Sequence, residues 1–217
     1  MRNDTGRSWK IRSIICLLSL AFALASSSAR ADPQWASQWA PKTVSEFEAY
    51  AAVLTNDYEK AATLLKPMAE KGNALAQGAL GQFYLKGLGV KQDFVQAMRW
   101  LEKASANGDS ESSFTLAIMS ETGVGATKDQ VRAARMLEKA SEQRNKKAPI
   151  LLALKYYEGV GVPKDKVFAH AWSNIGAAFG DEDSKKLRDE IEKMMSISEV
   201  QEAQRAAREW FARHKSN

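Results

Sequence analysis

Apolar residues recur along this sequence with the spacing of an α-helix. Two neighbouring segments each place apolar side chains three or four residues apart, so that these side chains share one helical face. The first stripe consists of Ala76, Leu80, Phe83 and Tyr84, and the second of Ala97, Trp100, Leu101 and Ala104. The pattern predicts two helices that pack against each other through these stripes, with Trp100 filling part of the core.

The same pair of helices recurs every 36 residues. The segments "LLKPMAEKGN", "WLEKASANGD", "MLEKASEQRN" and "WSNIGAAFGD" begin 36 residues apart, at Leu64, Trp100, Met136 and Trp172. The residues that share this register are Leu80, Leu116 and Leu152; Ala97, Ala133 and Ala169; Gly87, Gly123 and Gly159; Gly89, Gly125 and Gly161; and Asp93, Asp129 and Asp165. Such a period is typical of helical repeat proteins, in which each unit completes the core of its neighbour.

Two glycines one residue apart follow the first helix of each unit, in "KGLGVKQD", "TGVGATKD" and "EGVGVPKD". A phosphate-binding G-x-G follows a β-strand and occurs once, at its ligand, whereas this pair occurs three times after helical patterns. We therefore interpret the glycines as turns. The first of each pair suits the left-handed end of a helix, and the second allows a tight reversal. The aspartates that follow, Asp93, Asp129 and Asp165, are predicted to cap the next helices.

This combination of residues resembles the Sel-1-like repeat, a longer-looped relative of the tetratricopeptide repeat. The motif A-x-x-x-L-G-x-x-Y-x-x-G-x-G-V, followed by D-x-x-x-A-x-x-W-x-x-K-A, runs from Ala76 to Ala104. The resemblance covers about Ala74 to Gly180 directly. It implies an all-α fold, a right-handed superhelix or solenoid of helical hairpins with a C-terminal helical cap, and a role in binding other proteins.

The register also divides the chain into segments. End units of a solenoid must cover its core, so the weaker helical patterns at both ends are interpreted as caps, and Ser196 and Glu199 form a capping box for the last helix. The predicted segments are a signal peptide at 1–31, an N-terminal arm at 32–42, a tetratricopeptide-like hairpin at 43–72, Sel-1-like repeats at 73–108, 109–144 and 145–180 within 73–181, and capping helices at 182–214. The middle repeat departs from the motif at Ser120, Ala126 and Met136.

The first 31 residues have the features of a secretory signal peptide. A basic start is followed by the apolar run "IICLLSLAFALA" at Ile14–Ala25 and by a small-x-small cleavage sequence at Ala29–Ala31. This run is shorter than the roughly 20 residues that span a bilayer, so we expect cleavage after Ala31 and no stable membrane insertion. The sequence thus predicts a periplasmic or secreted bacterial protein, whose Trp35 and Trp39 either pack on the first hairpin or bind a partner.

Removal of this leader changes the charge and the chemistry of the chain. The net charge is +5, but the leader holds five of the 31 Lys and Arg residues and one of the 26 acidic residues. The mature chain keeps 26 basic and 25 acidic residues, a net charge of about +1, which does not indicate nucleic-acid binding. The leader also holds the single cysteine, Cys16, so cleavage leaves no disulfide, thiol nucleophile or cysteine-bound metal.

The remaining ionisable residues do not form a recognisable catalytic or metal-binding pattern. His170 lies beside apolar helix residues and is expected to be a packed or surface histidine, while His214 falls in a predicted frayed tail. Asp181, Glu182 and Asp183 open a helix, where acids meet the positive end of the helix dipole, and they lack the spacing of a calcium loop. We predict no catalytic residue, metal or cofactor, and no enzyme activity.

The predicted partner is another protein, which would bind the concave face that stacked first helices create. The residues predicted to line this face are Gln82, Lys86, Thr115, Ile118, Thr122, Leu151, Leu154 and Glu158. Aliphatic residues such as Ile118, Leu151 and Leu154 are poorly placed on an open face unless a partner or a neighbouring helix covers them. The resemblance implies a scaffold or regulator in the cell envelope, and the sequence does not predict the oligomeric state.

Two alternatives stay open at this point. One is a protein that binds peptidoglycan or another cell-wall glycan, and the other is a hydrolase or β-lactamase-like enzyme, as has been described for secreted, cysteine-rich relatives. The helix pairs of those relatives are clamped by disulfides, and the mature chain here contains no cysteine. The non-catalytic interaction scaffold is therefore the favoured prediction.

Overall fold

The computed structural model of the protein describes residues 43–214. The predicted signal peptide, the arm that carries Trp35 and Trp39, and the last three residues lie outside the described residues. The chain divides into two units, Met1–Val44 and Ser45–Asn217, and all the described helices belong to the second unit apart from the first residue of α1. Residues 43–214 form ten α-helices and no β-strand, which confirms the predicted all-α fold.

Most of the helices follow one another as hairpins. They are α1 (Val44–Leu54), α2 (Tyr58–Glu70), α3 (Ala74–Lys86), α4 (Phe94–Ala106), α5 (Ser110–Thr122), α6 (Gln130–Glu142), α7 (Ala148–Glu158), α8 (Lys166–Ala178), α9 (Glu182–Glu192) and α10 (Ile197–Arg213). Helices α3 and α4, α5 and α6, and α7 and α8 pack in pairs, and the second helix of each pair contacts the first helix of the next. Helices α9 and α10 both pack on α8.

Side-chain caps begin the helices of every unit. Asp93 Oδ1 accepts a hydrogen bond from the backbone N–H of Gln96 at 2.9 Å, and Asp129 Oδ1 accepts one from Arg132 at 2.8 Å; Asp165 caps α8 in the same way. Sequence reasoning missed a second set of caps, which also follows the register of 36 residues and serves the first helices. These caps are Asn73, Asp109 and Asp181. At the equivalent position before α7, Asn145 Oδ1 accepts from the N–H of Ala148, although Lys147 is the N-cap residue of that helix.

The first glycine of each elbow ends the preceding helix. Gly87, Gly123 and Gly159 have φ angles of 70°, 80° and 80°, a left-handed conformation that a side chain disfavours. The N–H of Gly87 donates to the carbonyl of Phe83, and the following N–H, of Leu88, donates to the same oxygen at 3.0 Å. The N–H of Asp93 then donates to the carbonyl of Tyr84 at 3.0 Å, which closes the elbow.

The second glycine of each elbow touches the preceding unit. A Cβ atom at Gly161 would overlap the carbonyl oxygen of Gln130, and one at Gly89 would overlap the backbone of Tyr58. Both contacted residues are the first residue of a second helix, α6 and α2 respectively. The sequence explained this glycine by chain reversal alone, but the structure shows that it also allows one unit to approach the next.

The core consists mainly of leucine and alanine. Leu65, Leu101 and Leu137, which share the register, are each at most 1% exposed. The sequence predicts that Trp100 fills part of the core, but its side chain lies at the edge of the core and is only partly buried. The equivalent Trp172 is buried, with 6% of its surface exposed. Trp172 is covered by the C-terminal helix, whose Trp210 ring meets it edge-on at 6.0 Å.

The C-terminal helix, α10, is held at both of its ends. Ser196 and Glu199 form the predicted capping box. Hydrogen bonds from the Ser196 N–H, the Lys166 ammonium and the Ser196 hydroxyl lower the pKa of Glu199 to about 2. The prediction that His214 lies in a frayed tail is wrong, because its ring stacks on Trp210 with the ring centres 4.4 Å apart. The guanidinium of Arg144 also donates to the backbone carbonyl of His214.

Buried polar side chains join successive units at two junctions, and apolar residues replace them at the third. The Gln77 amide donates to the Ala69 carbonyl at 2.9 Å and accepts from Asn107 at 2.8 Å. One unit later, Gln143 donates to the carbonyl of Ser105 at 2.8 Å and accepts from Ser113 at 2.5 Å. The equivalent residues of the third unit are Pro149 and Phe179, which pack without polar side chains.

We expect Gly161→Ala to destabilise the protein more than Gly108→Ala. Both glycines have positive φ angles, 77° and 92°, so each alanine carries a left-handed strain of roughly 1–2 kcal/mol. Only the alanine at 161 also overlaps Gln130, since nothing lies within 4 Å of a Cβ at 108, and this overlap adds about 1–3 kcal/mol. Urea unfolding of the two variants measures the difference, and equal losses would contradict docking of the elbow on α6.

Leu101→Ala should cost more stability than Trp100→Ala. Leu101 is fully buried, so its truncation leaves a closed cavity and should cost about 2–5 kcal/mol. Trp100 is partly exposed, so solvent can reach the space that its ring vacates. Denaturant midpoints of both variants test this order, and a larger loss for Trp100→Ala would show that the indole is a core residue after all.

Candidate functional site

The first-helix residues predicted to bind a partner differ in exposure. Lys86, Thr122 and Glu158 are exposed, and each is the last residue of its helix, directly before an elbow. The other predicted residues are half-buried, namely Gln82, Thr115, Ile118, Leu151 and Leu154. The row is therefore most accessible next to the elbows.

Some of the half-buried positions in this row serve the packing of the chain itself. The Gln82 amide donates to Thr115 Oγ1 at 2.9 Å, which joins α3 to α5. Leu151 packs against the C-terminal part of the core. A neighbouring part of the same chain thus covers at least one of the three aliphatic residues that the sequence singled out.

A depression of about 800 Å³ lies beside the first elbow. We call it the first elbow groove. Its lining residues are Lys66, Tyr84, Val90, Lys91, Gln92, Asp93, Gln96 and Trp100. They come from α2, the end of α3, the elbow and α4, so the groove lies where the second helices of two successive units meet an elbow.

A salt bridge crosses the equivalent positions one unit later. Arg132 and Glu102, which correspond to Gln96 and Lys66, form an ion pair at 2.7 Å between α6 and α4. Ser120 stands in place of Tyr84. The depression beside this second elbow is only about 90 Å³, so the chain's own side chains occupy most of the space that is open in the first elbow groove.

Aromatic side chains fill the third set of equivalent positions. Tyr156 and Phe168, which correspond to Tyr84 and Gln96, stack with their ring centres 5.2 Å apart and an interplanar angle of 22°. Burial raises the pKa of Tyr156, and the charge of Glu138 adds to the shift. Together with the buried Trp172, these side chains occupy the positions that correspond to Tyr84, Gln96 and Trp100 of the first elbow groove.

Trp100 links the first elbow groove to a second depression. This depression, of about 460 Å³, lies along α4 and is lined by Gln96, Arg99, Trp100, Glu102, Lys103 and Ala106. The ammonium of Lys103 lies 4.4 Å from the centre of the indole ring, a cation–π contact. An accessible indole therefore stands between two depressions in a basic environment.

The elbow backbone beside this groove also carries unpaired polar groups. Within residues 43–214, no hydrogen bond is made by the backbone N–H groups of Val90, Lys91 or Gln92. The Gln92 side chain is occupied, because its amide donates to the carbonyl of Leu85 at 2.9 Å. The lining segment thus has free backbone donors that a bound molecule can use.

The other ionisable residues singled out by sequence have structural partners. His170 is fully buried, with Nε2 3.2 Å from the Glu192 carboxylate. Asp181 caps α9 through the N–H of Ser184 at 2.7 Å, and Asp183 pairs with Lys186 at 2.9 Å. In the described part of the chain, no group of three or more His, Cys, Asp or Glu side chains could hold a metal ion.

The buried Lys155 was not singled out by sequence. Its ammonium lies 2.8 Å from Glu121 and 2.8 Å from the Gln130 side chain, at a position that is Phe83 and Met119 in the earlier units. A buried ammonium requires such partners, so this lysine ties α7 to α5 and α6. It is a packing contact between units and leaves the first elbow groove as the candidate site.

Sequence reasoning missed the first elbow groove, although the sequence holds a signal for it. Lys66 stands where later units have Glu102 and Glu138, and Gln96 stands where they have Arg132 and Phe168. Comparison of the units position by position would have shown that the first one lacks the residues that close the groove.

None of the helices between residues 43 and 214 combines the length and apolarity needed to cross a bilayer.

Known protein structures share this architecture. A Sel1 repeat protein from Oxalobacter formigenes is 31% identical, with a TM-score of 0.60, over a match that covers 64% of this chain and 57% of that protein. The protein c5321, a protective antigen of uropathogenic Escherichia coli strains with an SLR fold, is 29% identical, with a TM-score of 0.65 and coverage of 78% and 38%. The chain thus spans less than two thirds of either protein.

No protein of curated function matches the chain.

The family match agrees with the repeat register. The Sel1 repeat model matches residues 52–73, 74–109, 110–145 and 150–178, which together exceed half of the sequence and confirm the resemblance seen in the elbow motif. The chain therefore belongs to the Sel1 repeat family.

Proposed function

We propose that this protein is an exported, non-catalytic scaffold of the bacterial cell envelope that binds a segment of another protein at the first elbow groove. Sel1 repeat proteins are protein-interaction scaffolds and are generally non-catalytic. The observation that carries the proposal is the open groove, because the chain closes the two equivalent sites with its own side chains.

The open groove exposes the residue types that dominate protein interfaces. Tryptophan and tyrosine are enriched among residues that carry binding energy, especially where they are surrounded by contacts that exclude water. Trp100 and Tyr84 are both partly exposed in the groove. A partner side chain that covers the Trp100 ring would bury apolar area that the equivalent Trp172 buries against Trp210 in this chain.

The exposed ends of the first helices extend the proposed surface. Lys86, Thr122 and Glu158 lie directly before the three elbows, at intervals of 36 residues. A partner segment that begins in the first elbow groove can meet these side chains as it continues along successive units. They offer one cationic, one neutral and one anionic contact, which suits selection among partners more than raw affinity.

Export to the envelope is supported by the first 31 residues, with their basic start, apolar run and small-x-small sequence. We expect the protein isolated from its host's periplasm or medium to begin at Asp32. Intact-mass measurement of the secreted and cell-associated forms tests this. Recovery of the full-length chain from the cytoplasm alone would refute the export part of the proposal.

Site-specific photo-crosslinking tests the binding part. A photoreactive residue replaces Gln96 in the first elbow groove, and in the control it replaces Gln201, an exposed residue of α10. We expect illumination of living host cells to give a protease-sensitive adduct from position 96 and not from position 201. Equal adducts from both positions, or an adduct that only glycan-degrading enzymes remove, would rule out a protein partner at this groove.

A further inference from the structure

We propose that the first elbow groove recognises a linear, acidic segment of its partner, in which carboxylates flank an apolar side chain. This inference rests on the proposed function and adds the chemistry of the ligand. The carboxylates would bind Lys66 and Lys91, the apolar side chain would cover Trp100, and the ligand backbone would meet the elbow.

Lysines at positions 66 and 91 are specific to the first unit. The positions of Lys66 and Lys91 are occupied by Glu102 and Thr127 in the next unit, and by Glu138 and Pro163 in the third. The mature chain as a whole is close to neutral, so two lysines beside one open groove form a local feature. Complementary charge across an interface speeds association and selects partners.

The acidic residues that line the groove and the adjoining depression, Asp93 and Glu102, are already engaged. Asp93 Oδ1 caps α4 through the N–H of Gln96 at 2.9 Å. Glu102, at the edge of the adjoining depression, is paired with Arg132 at 2.7 Å. Between residues 43 and 214, by contrast, no acidic side chain forms an ion pair with Lys66 or Lys91. Both lysine side chains are exposed and available to carboxylates of a partner.

The remaining contacts favour a peptide as the ligand. The free backbone N–H groups of Val90, Lys91 and Gln92 suit the carbonyl oxygens of an extended chain. The indole of Trp100, with Lys103 at 4.4 Å from the ring centre, suits an apolar side chain next to an acidic one. An anionic glycan could use the lysines, but it would not supply the apolar side chain that the groove accommodates.

The test uses two fluorescently labelled synthetic peptides that differ only in charge. Each has a central leucine, flanked by glutamates in one peptide and by lysines in the other. We expect the mature chain to bind the glutamate peptide at least about tenfold more tightly in fluorescence anisotropy, with an affinity that falls as sodium chloride is added. Equal affinity for the two peptides, or no binding of either, would overturn the inference.

Variants locate the binding site. Lys66→Gln with Lys91→Gln should weaken binding of the glutamate peptide about tenfold, and Trp100→Ala should weaken it by at least as much. Lys66→Glu with Gln96→Arg installs the ion pair of the second elbow and should abolish binding. The control, Lys185→Glu, reverses an exposed charge on α9 and should leave the affinity unchanged. Equal affinities across all variants would place binding elsewhere and refute the inference.

Two further results separate this inference from the function on which it rests. A muropeptide or other anionic glycan fragment that competes as well as the glutamate peptide would refute recognition of a peptide. A crosslinked protein partner at position 96 whose contact segment carries no carboxylate would leave the proposed scaffold function intact while refuting the acidic segment. Thermal unfolding of each variant, followed by circular dichroism, checks that the substitutions leave the fold in place at the temperature of the binding assay.

Discussion

The architecture depends on the close approach of each elbow to the start of the second helix in the preceding unit. The second glycine of the elbow lies against backbone atoms at that helix start, most closely at Gly161 and Gly89. Because a side chain cannot occupy this space, the contact sets how far apart successive units lie. The leucine core, the caps and the polar contacts between units all form at the separation that this approach allows.

The period of 36 residues was sufficient to predict the helices, their pairing and the elbow glycines, since these depend on local conformation and on a stripe that every unit shares. The exposure of Trp100 could not be predicted in this way. Whether an indole at that position is covered depends on other elements, and Trp172 is buried because Trp210 of α10 packs against it. His214 likewise is ordered by stacking on Trp210, a contact that no local pattern indicates.

Polar contacts between units show how repeats keep one architecture while their side chains change. At one junction the amide of Gln77, on α3, donates to a carbonyl of the preceding second helix and accepts a hydrogen bond from Asn107. At the next junction the roles are exchanged. Gln143, which corresponds to Asn107, donates to the carbonyl, and Ser113, which corresponds to Gln77, donates its hydroxyl to Gln143. The exchange thus preserves buried hydrogen bonding while each junction uses a different set of side chains.

The same individuality accounts for the candidate site. A regular array would repeat every groove, and a partner could then bind in several registers. Here the ion pair of Glu102 and Arg132 occupies one groove and the stacked rings of Tyr156 and Phe168 occupy another, whereas the first elbow groove has neither contact. Under the proposed function, these contacts of the chain with itself would restrict binding to a single register, because a competing ligand would have to displace contacts that already stabilise the fold.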